Sequence, residues 1–227
     1  MNARPVPRRT RILTTLAAVL VLVVGAIVLA AARSDDRAQG APAREAGSTG
    51  EPAAVVRPDS HRLSDPPGAR VTLVEFLDFE CEACGAMFPA MERLRAEYGD
   101  RVSFVVRYFP IPSHLNSGRA ARAAEAAAQQ GHFEKMYQRL FETQAEWGEK
   151  RVAQDTVFRN LAAEIGLDMA AFDIAYNDPR TAARVNSDFD EGLALGVAGT
   201  PSFFLNGEKI TVSGSRDLAA ALDAAVE

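Results

Sequence analysis

The chain is poor in the side chains that most often bind metals. Its 227 residues include two cysteines, Cys81 and Cys84, and three histidines, His61, His114 and His132. Only three of its 25 basic residues are lysine: Lys135, Lys150 and Lys209. Structural zinc needs four nitrogen or sulfur ligands. One cysteine pair, with its histidines far off in sequence, does not supply them, so no metal is expected. Acidic residues are missing from residues 1–33, which carry Arg4, Arg8, Arg9, Arg11 and Arg33. The remainder has 20 basic against 30 acidic residues, a net −10, with no cluster of basic residues. Phosphate neutralisation depends on such clusters, so nucleic acid is excluded as a partner. No internal repeat is present.

The arginine-rich start precedes the one long apolar run. Residues 12–32, "ILTTLAAVLVLVVGAIVLAAA", are 21 residues without a charge. A helix rises about 1.5 Å per residue, so this length matches a hydrocarbon core of roughly 30 Å. Four arginines before the run and "SDD" after it orient residues 1–11 to the cytoplasm and the rest outside. A signal-peptide core is usually about 7–15 residues, shorter than this run. The expectation is therefore a single uncleaved anchor in the cell membrane. The competing reading is a signal cleaved after "AAA", which would release a secreted protein. No cysteine follows the run, which excludes a lipoprotein.

Residues 33–67 are rich in Ala, Pro, Gly, Ser and charge and read as a flexible tether, its end at Leu63 to Pro67 free to dock. The fold is expected over 68–227. Val71 to Leu77 is β-branched, aromatic and nearly continuous, which suits a strand covered on both faces. "CEACGAMFPAMERLRAEYGD" has helical spacing and stops at Gly99–Asp100, and "RVSFVVRYFP" reads as a second strand, completing a βαβ unit with a parallel pair. Residues from about 113 to 195 are helical throughout, with Phe133, Tyr137, Phe141 and Trp147 as core and His114 near a helix start. Then "TPSFFLNGEKITVSG" carries an Asn206–Gly207 hairpin signal, and a last helix begins with Ser215 as its expected N-cap. The order βαβ, helical block, ββα is that of a thioredoxin-like α/β sheet with a helical domain inserted in its middle.

A structural disulfide between Cys81 and Cys84 would close a loop of only a few residues, and cross-link stabilisation grows with loop length. A redox pair fits better, because the cysteines follow a buried strand and open a helix in an exported chain. Cys81, at the helix start, meets free backbone N–H groups and the positive end of the dipole, which favour a thiolate. Cys81 is thus the expected exposed nucleophile and Cys84, one turn on and shielded, the resolving thiol. Glu75 interrupts a strand expected to be doubly covered. A buried carboxylate should have a raised pKa and could move a proton for Cys84.

These features together resemble the thioredoxin-fold disulfide oxidoreductases related to DsbA. The resemblance spans about residues 69–225. It rests on "CEAC" after the first strand, Glu75 six residues before Cys81, Pro89 eight residues after it, the helical segment from "RYFPIPSHLNSGRAAR", and "GVAGTPSFFLNG". It implies that Pro201 is a cis-proline and that Thr200 before it offers backbone groups to a substrate peptide. The implied activity is thiol–disulfide exchange with exported, cysteine-containing proteins, with no cofactor beyond the Cys81–Cys84 pair. As an oxidase it would be re-oxidised by a quinone-linked membrane partner. As a reductase or isomerase it would be fed by a transmembrane electron donor. A non-catalytic peptide-binding or chaperone module is the reading from another class. No dimerisation domain is visible, which implies a monomer and favours the oxidase.

The dipeptide departs from the family, where Pro-His is frequent and here Glu82–Ala83 stands. With Glu80 and Glu82 flanking Cys81, the expectation is a raised Cys81 pKa and a mild oxidant.

Overall fold

The computed structural model describes residues 54–227. The expected cytoplasmic tail, the span at 12–32 and most of the tether lie outside the described residues. Among the described residues no helix is long and apolar enough to cross a membrane.

Among the described residues, five strands form one sheet in the order β1-β3-β2-β4-β5. The central strand β2 (Val71–Leu77) is buried at every position but Thr72, as its nearly continuous apolar run requires. It runs parallel to β3 (Val102–Tyr108) and antiparallel to β4 (Ser202–Leu205). Helix α1 (Glu82–Tyr98) makes the parallel crossover. The pleat divides β2 between two cores. Val71 and Leu73 pack with Met91 and Leu94 of α1 and with Leu218 and Leu222 of the C-terminal helix. Val74 and Phe76 pack on the other face with Val105, Phe109, Val197 and Phe204. Glu75 therefore shares the α1 face with Leu73 and Leu77.

Between β3 and β4 lie six helices: α2 (Ser117–Ala128), α3 (Phe133–Glu142), α4 (Gln144–Trp147), α5 (Asp155–Glu164), α6 (Met169–Asn177) and α7 (Pro179–Ala194). Six alanines of α2, Ala120, Ala121, Ala123, Ala124, Ala126 and Ala127, are buried. Phe133, Tyr137, Phe141 and Trp147 join one core with Leu77 and Phe79 at the end of β2. The chain then pairs β4 with β5 (Glu208–Ile210) through Asn206 and Gly207, at φ 52° and 87°. These positive angles suit the asparagine–glycine pair. Helix α8 (Ser215–Val226) closes the chain. Its cap is Gly214 rather than Ser215, and Asp217 reaches back to accept from the Ser213 N–H at 2.8 Å.

Part of the segment read as a tether is ordered. β1 (His61–Ser64) pairs antiparallel with the edge of β3. Four residues with one large apolar side chain carry no strand signal alone, and the open edge of β3 is what orders them. Upstream, the Arg107 guanidinium, fully buried, donates to the carbonyls of Ala54 and Val55 at 3.0 and 3.1 Å. It also pairs with Asp188 and Glu191 of α7. Asp188 further accepts from the Tyr108 N–H at 3.1 Å and pairs with Arg184. Removing one member of such a buried set strands a charge, so Asp188→Ala is expected to cost about 3–5 kcal/mol in denaturant unfolding.

Candidate redox site

β2 delivers the chain to a three-residue turn, Asp78 to Glu80, and Cys81 follows as the N-cap of α1. Its N–H donates to the Asp78 carbonyl at 3.2 Å, and its carbonyl receives the first helical bond from Gly85 at 3.0 Å. Both cysteines are thiols in this structure. Cys84 is 1% exposed and Cys81 8%, so Cys81 is the more accessible but is less open than the sequence suggested. The reason is the loop opposite: the Cys81 thiol donates to the Thr200 carbonyl at 3.4 Å. The Thr200–Pro201 bond is cis. Ser202, next in the chain, pairs with Phe76 of β2, which ties this loop to the strand that carries Glu75.

The Cys81 thiol is pushed down to about 5. The largest cause is the hydrogen bond from the Cys84 thiol. Burial opposes it, while the Thr200 side chain and the backbone N–H groups of Cys84 and Ala83 reinforce it. Cys84 goes the other way, well above an ordinary thiol, through burial and its bond to Cys81. Glu75 is 3% exposed, and burial, then the nearby Cys81 charge, raises its carboxyl to about 8. Glu75 and Cys84 thus favour their protonated forms, and Cys81 favours its thiolate.

The expectation that flanking glutamates raise the Cys81 pKa is corrected by where their carboxylates go. Glu80 is 2% exposed and accepts from the Asn116 N–H at 2.6 Å and the Glu149 N–H at 3.1 Å. It is thus committed to the helical block. Glu82 is exposed, where water screens it. Neither carboxylate hydrogen-bonds to the sulfur, whereas the Cys84 thiol and the helix-start amides do. Ala83 lines a groove of about 470 Å³ with Met87, Arg93, Pro201, Phe203 and Val212.

Two polar residues near the site escape the sequence. Asp78, 1% exposed, accepts from the N–H groups of Glu80 and Ile111 and from His114 Nδ1 at 2.7 Å. His114 thus sits in a turn against the redox loop, ahead of α2, and its partnership with Asp78 raises its pKa against the effect of burial. An acid closing an apolar strand three residues before a cysteine pair was the signal for Asp78. Gln144 of α4 donates to the carbonyls of Phe79 and Cys81. Nothing in its sequence context marks it.

Residues 66–224 match the family described as Thioredoxin. The chain belongs to the thioredoxin family. A solved thioredoxin-like oxidoreductase from Silicibacter pomeroyi DSS-3 is 29% identical, with a TM-score of 0.63 over 76% of this chain and 95% of that one. α-DsbA1 from Wolbachia pipientis is 20% identical, TM-score 0.65, covering 75% of this chain and 92% of that one. Oxidised BdbD from Bacillus subtilis is 21% identical, TM-score 0.64, covering 74% and 92%. The fold is therefore a thioredoxin-like α/β fold of the DsbA kind. Among curated proteins, the Na(+)/H(+) antiporter NhaA of Herminiimonas arsenicoxydans is 35% identical over 170 residues, 74% of this chain and 26% of the antiporter. NhaA 3 of Salinispora tropica is 38% identical over 155 residues, 68% of this chain and 23% of its own length. The chain spans about a quarter of the length of these relatives.

Proposed function

We propose that this protein is an extracytoplasmic thiol–disulfide oxidase that passes a disulfide from Cys81–Cys84 to exported proteins. The observation that carries the reading is the opposed pair of thiols, Cys81 pushed down to about 5 and Cys84 pushed up behind it. A low-pKa sulfur is a good leaving group and a stable thiolate, and a stabilised reduced form makes the couple a stronger oxidant. Relative to an ordinary thiol at 9.0, the gain at pH 7 is at most about 60 mV before solvent screening reduces it. This replaces the mild couple expected from the glutamates.

In the proposed cycle a substrate thiolate attacks Cys81 Sγ and forms a mixed disulfide. The Cys81–Cys84 bond breaks and Cys84 leaves with the electron pair. Glu75, protonated at neutral pH, supplies the proton that Cys84 requires. A second substrate thiolate then attacks the substrate's own sulfur in the mixed disulfide. Cys81 departs as a thiolate, the substrate gains its disulfide, and the protein is left two electrons reduced. Thr200 offers its backbone, and the groove beside Pro201 offers apolar surface, to the substrate chain. No cofactor enters the cycle, because the two electrons reside on the sulfurs.

Residues 12–32 hold the domain at the outer face of the cell membrane in this reading, and a quinone-linked membrane partner takes the electrons away. Antiport is not part of it. The test is transfer of the disulfide from oxidised protein to a reduced, unfolded dithiol protein under excess substrate. Stoichiometric transfer with recovery of free Cys81 is expected; retention of the Cys81–Cys84 disulfide would contradict the reading.

A further inference from the structure

We propose that Gln144, in the helical block, is a positioning residue that fixes the aim of Cys81. Its side-chain Nε2 donates to the Phe79 carbonyl at 2.7 Å and to the Cys81 carbonyl at 2.9 Å. These carbonyls bracket the turn that ends in the nucleophile. Gln144 is itself held from behind. Trp147, three residues on, is fully buried, donates to the Leu140 carbonyl at 3.2 Å and meets Phe158 edge-on at 4.9 Å.

Gly85 supports the assignment independently. A Cβ built there would stand 2.0 Å from Gln144 Oε1 and 2.8 Å from its Cδ. A glycine one residue past Cys84, inside a helix, costs stability relative to alanine. Here it leaves room for the Gln144 amide to reach the Cys81 carbonyl. The other anchor of the turn, the Glu80 carboxylate, also goes to the helical block, at Asn116 and Glu149. The sheet carries the cysteines, but the inserted helices set the last turn before the sulfur.

The Phe79 and Cys81 carbonyls belong to the turn that carries the sulfur, so the donor that holds them also holds the turn. The Gln144 amide binds both and keeps the Ala83 and Cys84 N–H groups turned towards Cys81. Without it the carbonyls lose a donor, the turn relaxes, and the thiolate loses part of its support.

The inference needs Cys81 to be the accessible thiol but not that the protein is an oxidase. The experiment measures the Cys81 pKa, from thiolate absorbance and from alkylation rate against pH, in wild type, Gln144→Leu, Gln144→Asn and Gly85→Ala, with thermal unfolding to establish that each is folded. In Gln144→Leu the pKa is expected to rise by about half to one pH unit. Gly85→Ala is expected to raise it similarly, and in a Gln144→Ala background the added methyl should have no further effect. A folded Gln144→Leu or Gln144→Asn with an unchanged pKa would overturn the inference, as would full additivity of Gly85→Ala with Gln144→Ala. If wild type fails to pass on its disulfide while the pKa still follows Gln144, the proposed oxidase is wrong and the positioning role stands.

Discussion

Replacing Cys81 by serine is expected to lower disulfide transfer to the uncatalysed background, while replacing Cys84 by serine should leave a protein that accumulates covalent substrate complexes. The asymmetry comes from position and charge. Cys81 caps α1, touches the Thr200 carbonyl and carries the lowered pKa, so it is the sulfur that a substrate reaches and the thiolate that reacts. Cys84 is sealed behind it and bears a raised pKa. With Cys84 gone, nothing inside the protein resolves the mixed disulfide on Cys81. Non-reducing electrophoresis of reduced protein incubated with a disulfide-bearing substrate reads both outcomes, because the Cys81 thiolate attacks the substrate disulfide and one substrate sulfur leaves as a thiolate. Trapped complexes on Cys84 in the Cys81→Ser variant would reverse the assignment.

The second large effect is a pH dependence. Glu75 moves from 4.5 to about 8 on folding, chiefly through burial. The folded protein then holds a proton that the unfolded chain has released, so stability falls as pH rises from about 4.5 to 8 and levels off above. The Cys81 charge that contributes to this value is absent when the two cysteines are joined, so in the oxidised protein burial alone sets the shift and the loss stays below about 5 kcal/mol. In the reduced protein Cys81 acts oppositely: its pKa falls from 9.0 to about 5 on folding, so it adds stability as pH rises through that window. Denaturant unfolding across pH 4–9 should therefore show a falling curve when oxidised and a much flatter one when reduced. Glu75→Gln should flatten the oxidised curve and slow the exchange step at Cys84 by about a hundredfold. An oxidised protein with the same slope in wild type and Glu75→Gln would contradict this role.

Much of this arrangement was legible in the sequence. The nearly continuous apolar run of β2, the helical spacing of α1 and the Asn206–Gly207 turn are local signals, and each element stands where those signals put it. Cys81, Cys84, Glu75 and Thr200–Pro201 converge because β2 and β4 are hydrogen-bonded neighbours, which two spaced motifs could indicate only by resemblance. What stayed hidden depends on side-chain direction. Glu80 reads as a charge beside the nucleophile, yet its carboxylate turns into the helical block and caps Asn116. Asp78 and Gln144 act through backbone groups distant in sequence, and no spacing rule reports that. β1 is invisible for a different reason: its four residues become a strand only because β3 presents an open edge.

The most direct test of the proposed chemistry is the equilibrium reduction potential of the Cys81–Cys84 couple in the folded protein, measured against glutathione. The lowered Cys81 pKa and the shielded Cys84 predict a value above about −200 mV, on the oxidising side of the scale. A value below about −230 mV, towards the thioredoxin end near −270 mV, would contradict an oxidase and assign the same two sulfurs to a reductase.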